Sequence, residues 1–415
     1  MKDARSLARR KAAPYVSYEK RDPALTERNA PAYGPAMAHR FSTLAIVAVI
    51  AAASSVSAGQ NRTAADHYVP SRPETVTWGW IPTDKAPVVT VKSGQTVRMD
   101  TLSHHGSTQA QDPDTFLAEY GIAKHEILQD VRDFWASRAG RPREGRGGAH
   151  ILTGPVAVAG AEPGDMLEVE VIELSARAPF GVNTTGPTSG VLGSDYPGAR
   201  PGDPSLDIPA GARHVLRTGT VNGRQVVLFS DAIHIPFAPF MGIMAVAPRN
   251  PVVGEPGVTI AGVQNSTPPG AYGGNMDLKD LGIGSKLYLP VFQPGALFYV
   301  GDPHGTQGNG EVSGNALEQS LTGVFRFVLH KGKAISAPRA ETATHYILMG
   351  IDLDLDRAMR RSVTETIKFL VEEKGLTPAK AFSLASLTVD FQVAEAVDLA
   401  QLVSARIPKS VFLSK

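Results

Sequence analysis

The sequence predicts a mainly β protein, α+β overall, with a small α/β layer at its C-terminal end. Three observations carry this. Forty-one glycines and 31 prolines in 415 residues demand many turns, and so favour sheets over helix bundles. Short runs of alternating apolar and polar residues recur along most of the chain, as in strands with one buried and one wet face. Helical patterning is confined to residues 112–138 and to a tail that reads β-α-α-β.

The chain opens with a polar, Pro/Ala-rich stretch and then residues 44–53 (LAIVAVIAAA), preceded by His39-Arg40 and followed by Val56-Ser57-Ala58. Basic start, apolar core and small-residue end are the order of a secretory signal, and ten apolar residues are short for a membrane span. The expectation is cleavage after Ala58 and export to the periplasm or beyond, with Met37 a better start for such a signal than Met1. Residues 1–58 are therefore read as leader and signal peptide outside the fold. Residues 59–260 form an N-terminal mainly-β portion with a helical insertion at 112–138. Residues 261–415 hold β hairpins that carry the site, plus the β-α-α-β tail.

Removing 1–58 changes the charge. That segment holds nine of the 41 Lys/Arg and four of the 40 Asp/Glu, so the remainder is acidic by four. No run of basic residues is left, so neither nucleic-acid binding nor stable membrane association is expected. The absence of cysteine excludes disulfides, thiolate metal sites and a cysteine nucleophile.

Residues 88–100 (VVTVKSGQTVRMD) read as two short strands about Ser93-Gly94-Gln95, with Val97 and Met99 on one face. His104-His105 follows, and neighbours at a strand end point in opposite directions, so one of them can face a site. Over 112–138, apolar residues recur at helical spacing, Asp112-Pro113 marks the start and Gly121 divides the run in two. In 150–174 (HILTGPVAVAGAEPGDMLEVEVIEL) a Glu-Pro-Gly-Asp turn precedes a strand that buries Leu167, Val169 and Val171. Residues 185–211 are a Gly/Pro/Ser excursion, and Asn222-Gly223 centres a hairpin over 215–230. Residues 235–248 are apolar and proline-broken, the composition of a core segment.

Two glycine-rich loops then concentrate polar chemistry. Residues 268–281 (PPGAYGGNMDLKDL) present Asn275 and Asp277, which share a face on an extended segment. Residues 286–292 (KLYLPVF), the turn Gln293-Pro294-Gly295 and residues 296–300 (ALFYV) read as a strand and its return strand. They lead into 301–311 (GDPHGTQGNGE), with Asp302, His304, Gln307, Asn309 and Glu311 among four glycines. Carboxylate, imidazole and amide oxygen are metal-ligating and proton-transfer groups, although a Gly/Asp/Asn-rich loop is also what a plain polar turn looks like. Farther on, 324–330 and 344–351 read as strands. Residues 355–373 form an amphipathic helix ended by Lys374-Gly375, and the alternating Asp352, Asp354 and Asp356, a set that also suits Ca²⁺, fit capping of its start better. Thr377-Pro378 restarts a short helix, and 387–393 is the last strand.

Four stretches together resemble the acetamidase/formamidase family of amide hydrolases: 150–174, 236–248, 270–277 (GAYGGNMD) and above all 287–318 (LYLPVFQPGALFYVGDPHGTQGNGEVSGNALE). The resemblance runs from about residue 88 to 397. It implies jelly-roll-like sandwich and barrel portions completed by a small α/β part, a metal in the site (zinc or calcium), a small amide substrate and a homo-oligomer. The family pattern is matched at Asn275, Asp277, Asp302, His304, Gln307 and Glu311. Ser313 stands where cysteine is expected, and Thr306 and Asn309 replace a small and an acidic residue. The stretch 103–146 diverges, which implies a substrate different from formamide.

The expected chemistry is cleavage of the C–N bond of short linear amides. Without cysteine, and with no Gly-x-Ser-x-Gly elbow, a metal-activated water is the favoured nucleophile. The expected ligand set is Asp277, His304, Asp302, Asn275 and Glu311. Glu311 and His304 take the catalytic roles, Glu311 as general base then acid. Gln307, His104, His150 and His234 line the substrate pocket or stand as reserve ligands, and backbone N–H groups of the glycine loop assist the oxyanion. A mixed His/carboxylate set favours zinc over calcium. Two alternatives are a hydrolase of cyclic amides (lactams) and a non-catalytic periplasmic small-molecule binding module.

Overall fold

The computed structural model describes residues 63–140, 147–186, 189–195, 211–249, 259–260 and 263–413. The signal peptide expected at 1–58 lies outside the described residues, as do the middle of the basic loop 140–148 and most of the 185–211 excursion.

Two sheets face each other across one core. The larger has nine strands, in the spatial order His67–Val69, Thr96–Asp100, Leu321–His330, Met166–Ala176, Lys286–Pro290, Arg339–Glu341, His345–Asp352, Ala400–Pro408, Asp390–Asp398. The smaller has Phe298–His304 near its middle, between Phe240–Val246 and Ile151–Val158. The facing side chains form one apolar cluster. In it Leu167, Val169, Leu287, Phe325 and Phe327 of the larger sheet meet Leu152, Val156, Ile243, Met244, Phe298 and Val300 of the smaller. The Phe298 ring lies 5.1 Å from that of Phe327 and 6.1 Å from that of Phe325, within the range of favourable aromatic pairs. A mainly β, α+β architecture is thus observed.

One expectation is corrected. Residues 286–292 and 296–300 are not the two limbs of a hairpin. Lys286–Pro290 pairs with Met166–Ala176 in the larger sheet, whereas Phe298–His304 pairs with Phe240–Val246 and Ile151–Val158 in the smaller. The physical cause is a run of three left-handed residues, Gly295 (φ 79°), Ala296 (φ 60°) and Leu297 (φ 56°), which swings the chain from one sheet to the other. The same happens between Ile151–Val158 and Met166–Ala176, and between Val89–Val91 and Thr96–Asp100. Two of these crossings are stacked: Gly164 N–H donates to Val291 O at 3.1 Å, and Gly295 N–H to Ala161 O at 2.8 Å. Strands from before and after residue 260 consequently interleave in both sheets.

Smaller pieces complete the fold. The insertion forms helices Pro113–Ala118 and Gln129–Ser137, the first capped by the Asp112 carboxylate on Thr115 N–H and followed by left-handed Gly121. Their Phe116, Leu117, Val131 and Phe134 build a second apolar cluster with Ile151 and Phe180. The hairpin Ala212–Val221/Arg224–Ser230 turns at Asn222-Gly223, both left-handed. It lies in a four-stranded sheet with Phe180–Thr185 and Ile233–Pro236. At the C-terminal end Asp354 caps the helix Leu355–Glu372, and Gly375 closes it by donating to Val371 O. Thr377 caps the helix Pro378–Thr388. That helix runs farther than its periodicity indicates: Leu387 is helical and exposed, and the strand begins only at Asp390.

Candidate active and metal site

The site is built on the end of Phe298–His304. Gly301 lets this strand lie against its neighbour, since a Cβ there would sit 2.5 Å from Ile151 O. The supposed loop therefore starts as strand: residues 301–304 continue the ladder, with His304 opposite Phe240 and their rings 5.0 Å apart, edge to face. On the other side of Phe240–Val246, Asn275 pairs opposite Ile243, and Asp277 follows in a left-handed turn (φ 42°). Between them Gly242 forms a bare floor. A Cβ on it would lie 2.6 Å from Asp302 Oδ2 and 2.9 Å from His304 Cε1, and would also strike Asp277 Oδ1.

Three further segments arrive at this floor. His104 comes off the end of Thr96–Asp100, His150 immediately precedes Ile151–Val158, and Glu318 is bridged to His304 along the backbone. The C-terminal hairpin adds Asp398, and Gly310 N–H donates to Ala394 O at 2.8 Å to tie the glycine loop down on that hairpin. Asp277, Asp302 and Glu311 (φ 45°) are all non-glycine residues with positive φ. Such backbone costs about 1–3 kcal/mol per residue, and it persists where surrounding structure enforces it, often at functional sites.

The side chains converge. His304 Nε2 lies 3.2 Å from both Asp302 Oδ2 and Glu318 Oε1, and His304 Nδ1 is 3.7 Å from Asp277 Oδ1. His104 Nδ1 is 3.7 Å from Asp302 Oδ1 and from Glu318 Oε2, and His150 Nε2 is 3.8 Å from Asp302 Oδ1. Three sets each offer ligand atoms within 4.8 Å of one another: His104/His150/Asp302, Asp277/His304/Glu311 and Asp302/His304/Glu318. A cavity of about 250 Å³ opens onto them, lined also by Asn275, Asn315 and Asp398.

Gln307 fixes the orientation of His304. Its Nε2 donates to Asp277 O at 2.9 Å, so its Oε1 is the atom 3.0 Å from His304 Nδ1, and Nδ1–H must be the donor. The Nε2 lone pair then faces two carboxylates. That arrangement repels unless a proton or a metal cation sits among the three. Among the described residues, both Asp277 carboxylate oxygens, Asp302 Oδ1, Glu318 Oε2, Asn275 Oδ1 and His304 Nε2 are buried without a hydrogen-bond partner. Orphaned lone pairs of this kind, on a floor that a single methyl would block, fit a divalent cation.

The electrostatics agree. Burial, reinforced by Asp398 and Asp302, pushes Asp277 well above the usual carboxylate range. Burial and the neighbouring Asp277 do the same to Glu311, and burial with Glu311 and Glu395 does so to Asp398. Burial moves Glu318 up to about 7, although His304 opposes it. Asp302 is the exception: burial raises it, but the histidines, led by His150 and His304, hold it well below its ordinary value. Burial depresses His304, and Glu318 and Asp302 more than offset that, leaving it strongly basic. His104 is driven well below its ordinary value by burial and by His105 and His150.

Of the residues expected from sequence, the structure gathers Asn275, Asp277, Asp302, His304, Gln307, Glu311, His104 and His150. His234 is not among them. It stands exposed on the strand Ile233–Pro236, at the edge of the four-stranded sheet. The glycine loop also leaves less for an oxyanion than expected: the N–H groups of Gly305, Gly310 and Gly314 already donate to Leu317 O, Ala394 O and Glu311 O. Ser313 is spent locally, its hydroxyl donating to Asn315 O at 3.2 Å. Sequence reasoning missed Glu318 and Asp398. Glu318 lies inside the run 301–318 but in the apolar context ALEQ. Asp398 belongs to a tail read as scaffold, where the signal was the pair of acids in the strand run VAEAVD.

A strand-built floor ringed by histidines and carboxylates, inside a two-sheet α+β fold, defines a class of site compatible with a divalent cation. The chain matches the Acetamidase/Formamidase family over residues 147–255 and 258–414 and belongs to that family. It is 29% identical to the acetamidase of Mycolicibacterium smegmatis over 239 residues, 46% of this chain and 53% of that protein. It is 24% identical to the formamidase of Methylophilus methylotrophus over 262 residues, 56% of this chain and 58% of that protein. The chain thus spans a little over half the length of these curated relatives. Among solved structures, the acetamidase of Yersinia enterocolitica is similar with a TM-score of 0.65 and 26% identity, covering 86% of this chain and 96% of that one.

Proposed function

We propose that the protein hydrolyses linear carboxamides to carboxylate and ammonia at this site. The observation that carries the reading is the convergence of Asp277, His304 and Glu311 with Asp302 and Glu318 on the Gly242 floor, in a chain whose relatives include a formamidase and an acetamidase. The residues fitted to hold a divalent cation are Asp302, Glu318 and His304 through Nε2, with His104 and His150 beside them. Three imidazoles favour zinc over the all-oxygen environment of calcium. When bound, such a cation supplies Lewis acidity and lowers the pKa of water from about 15.7 towards roughly 7.

The chain's own groups handle substrate and protons. Glu311, one side of the cavity, accepts the proton of the attacking water on a carboxylate oxygen and returns it to the departing nitrogen. Burial and the neighbouring Asp277 favour the protonated form of Glu311, which primes that return. Gln307 holds His304 in the tautomer that presents Nε2. The Asn275 amide, with its unpartnered Oδ1, can accept from the substrate NH₂. Export through the segment 44–53 is part of the same proposal.

Ammonia release from linear amides, measured with and without chelator, tests the reading. Turnover that disappears on chelation and returns with one equivalent of zinc is expected. Opening of lactams without any ammonia release from linear amides would overturn it.

A further inference from the structure

A second cavity, of about 420 Å³, backs onto the site. It shares Glu311 and Asn315 with the polar cavity, so these two residues form a partition between them. Its character is different. Leu216, Val227, Phe229, Ile235, Val312 and Leu317 line it. Among the described residues, neither a Lys or Arg nor a second acid lines it. The size falls within the roughly 300–1,000 Å³ typical of small-molecule pockets, which are mostly apolar with a few placed polar groups.

The chamber is a recess rather than a flat apolar face. Val227 at 0% and Leu317 at 4% relative exposure form its floor, while Phe229 and Val312 stand exposed at the mouth. It is also open where a side chain would normally intrude: a Cβ on the lining Gly308 would meet nothing within 4 Å. One side of the partition, Asn315, is anchored by hydrogen bonds. The Asn315 Oδ1 accepts from Thr184 N–H at 2.7 Å and from Asn183 Nδ2 at 3.0 Å, and its Nδ2 donates to Thr184 O at 3.0 Å. An enzyme confined to formamide or acetamide needs no apolar chamber beside its proton carrier.

Resting on the amide-hydrolase reading above, we infer that the substrate carries an extended apolar acyl group, aliphatic or arylaliphatic. The carboxamide lies in the polar cavity beside Glu311, and the acyl chain passes the Glu311–Asn315 partition into the chamber. The four-stranded sheet thereby sets acyl specificity through Leu216, Val227 and Ile235, and the opposite wall through Leu317. The reaction balances as R–CONH₂ plus water giving R–COO⁻ and ammonium, with R the group in the chamber.

The test is a chain-length series, formamide, acetamide, butyramide, hexanamide and phenylacetamide, scored by ammonia release from the metal-loaded full chain. Each buried methylene stabilises by about 0.8 kcal/mol, so kcat/KM is expected to rise about fourfold per methylene up to hexanamide. Leu216→Trp and Ile235→Trp, both at half-buried positions that tolerate volume, are each expected to cut the hexanamide/acetamide selectivity at least tenfold. Cleavage of acetamide and formamide with no gain along the series overturns the inference and leaves the amidase reading standing. Failure to release ammonia from any member overturns both. Variants that alter the oligomeric state but leave selectivity unchanged assign the recess to contact between copies, and overturn the inference too.

Discussion

Two buried glutamates, each 7% exposed or less, behave in opposite ways. Glu168, on the outer face of the larger sheet, meets Lys286 Nζ at 2.7 Å and His330 Nε2 at 2.8 Å. These contacts outweigh the cost of burial and hold its carboxyl below the ordinary value. Glu318, on the floor of the site, has His304 and the Ala316 N–H as partners but also faces Asp302, and burial lifts it to about 7. Burial alone therefore does not mark function. What distinguishes the site is acid crowded on acid with, among the described residues, no lysine or arginine lining the cavity. Like charges about 4 Å apart cost about 4 kcal/mol at an effective dielectric of 20, and a divalent cation removes that cost.

Glu311→Gln makes the sharpest test of the contrast. It is expected to lower turnover by about 10²-fold or more, the usual weight of a general acid–base group. It should also raise the melting temperature of metal-stripped protein, since one member of the crowd is neutralised. Equal kcat in steady-state assays would remove Glu311 from its role. Gln307→Ala comes next: a residue that orients a metal-binding histidine is worth about 10–100-fold in metal affinity, read by competition with a chromogenic chelator. Unchanged affinity would mean His304 is oriented without it.

The third test uses pH. Glu318, up at about 7, and Glu395, up at about 8 through burial, both stand above their ordinary value of 4.5. Between about 4.5 and 8 the metal-free folded state therefore holds protons that the unfolded chain has lost, and its stability falls as pH rises. Thermal melts after chelation should drop across that window more steeply than melts of the zinc-loaded protein. Parallel curves would contradict a crowded, cation-dependent centre. The smallest effect belongs to Glu168→Gln. Its partners are partly exposed, so the loss should stay within about 1 kcal/mol, with turnover and metal content unchanged. The folded pKa of Glu168 is depressed, so its contribution is present above the unfolded value and fades as pH falls through the folded one. A large drop in activity for this variant would erase the distinction between the two faces.

Much of this was legible in the chain because the relevant physics is local. Asp112, Asp354 and Thr377 cap helices, and Asn222-Gly223 turns a hairpin, through contacts within three or four residues. The two polar loops stood out because glycine and acid together are unusual next to apolar strands. Sheet membership was not legible. Alternation reports which side of a strand is buried, not which neighbour it bonds to, so the crossings at 158–166 and 290–298 read as ordinary hairpins. Asp398 was hidden for a related reason, since 96 residues separate it from Asp302 and only the path of the last hairpin joins them. His234 misled because sequence shows an imidazole but not that its strand lies at the exposed edge of the four-stranded sheet.

The turn at Asp398 has a consequence for synthesis. It falls between the strands Asp390–Asp398 and Ala400–Pro408, the latter docked on His345–Asp352. A growing polypeptide therefore has His104, His150, Asp277 and Asp302 outside the ribosome while one wall of the centre is still being translated. The acids made earlier thus meet Asp398 only when the final hairpin docks on the larger sheet.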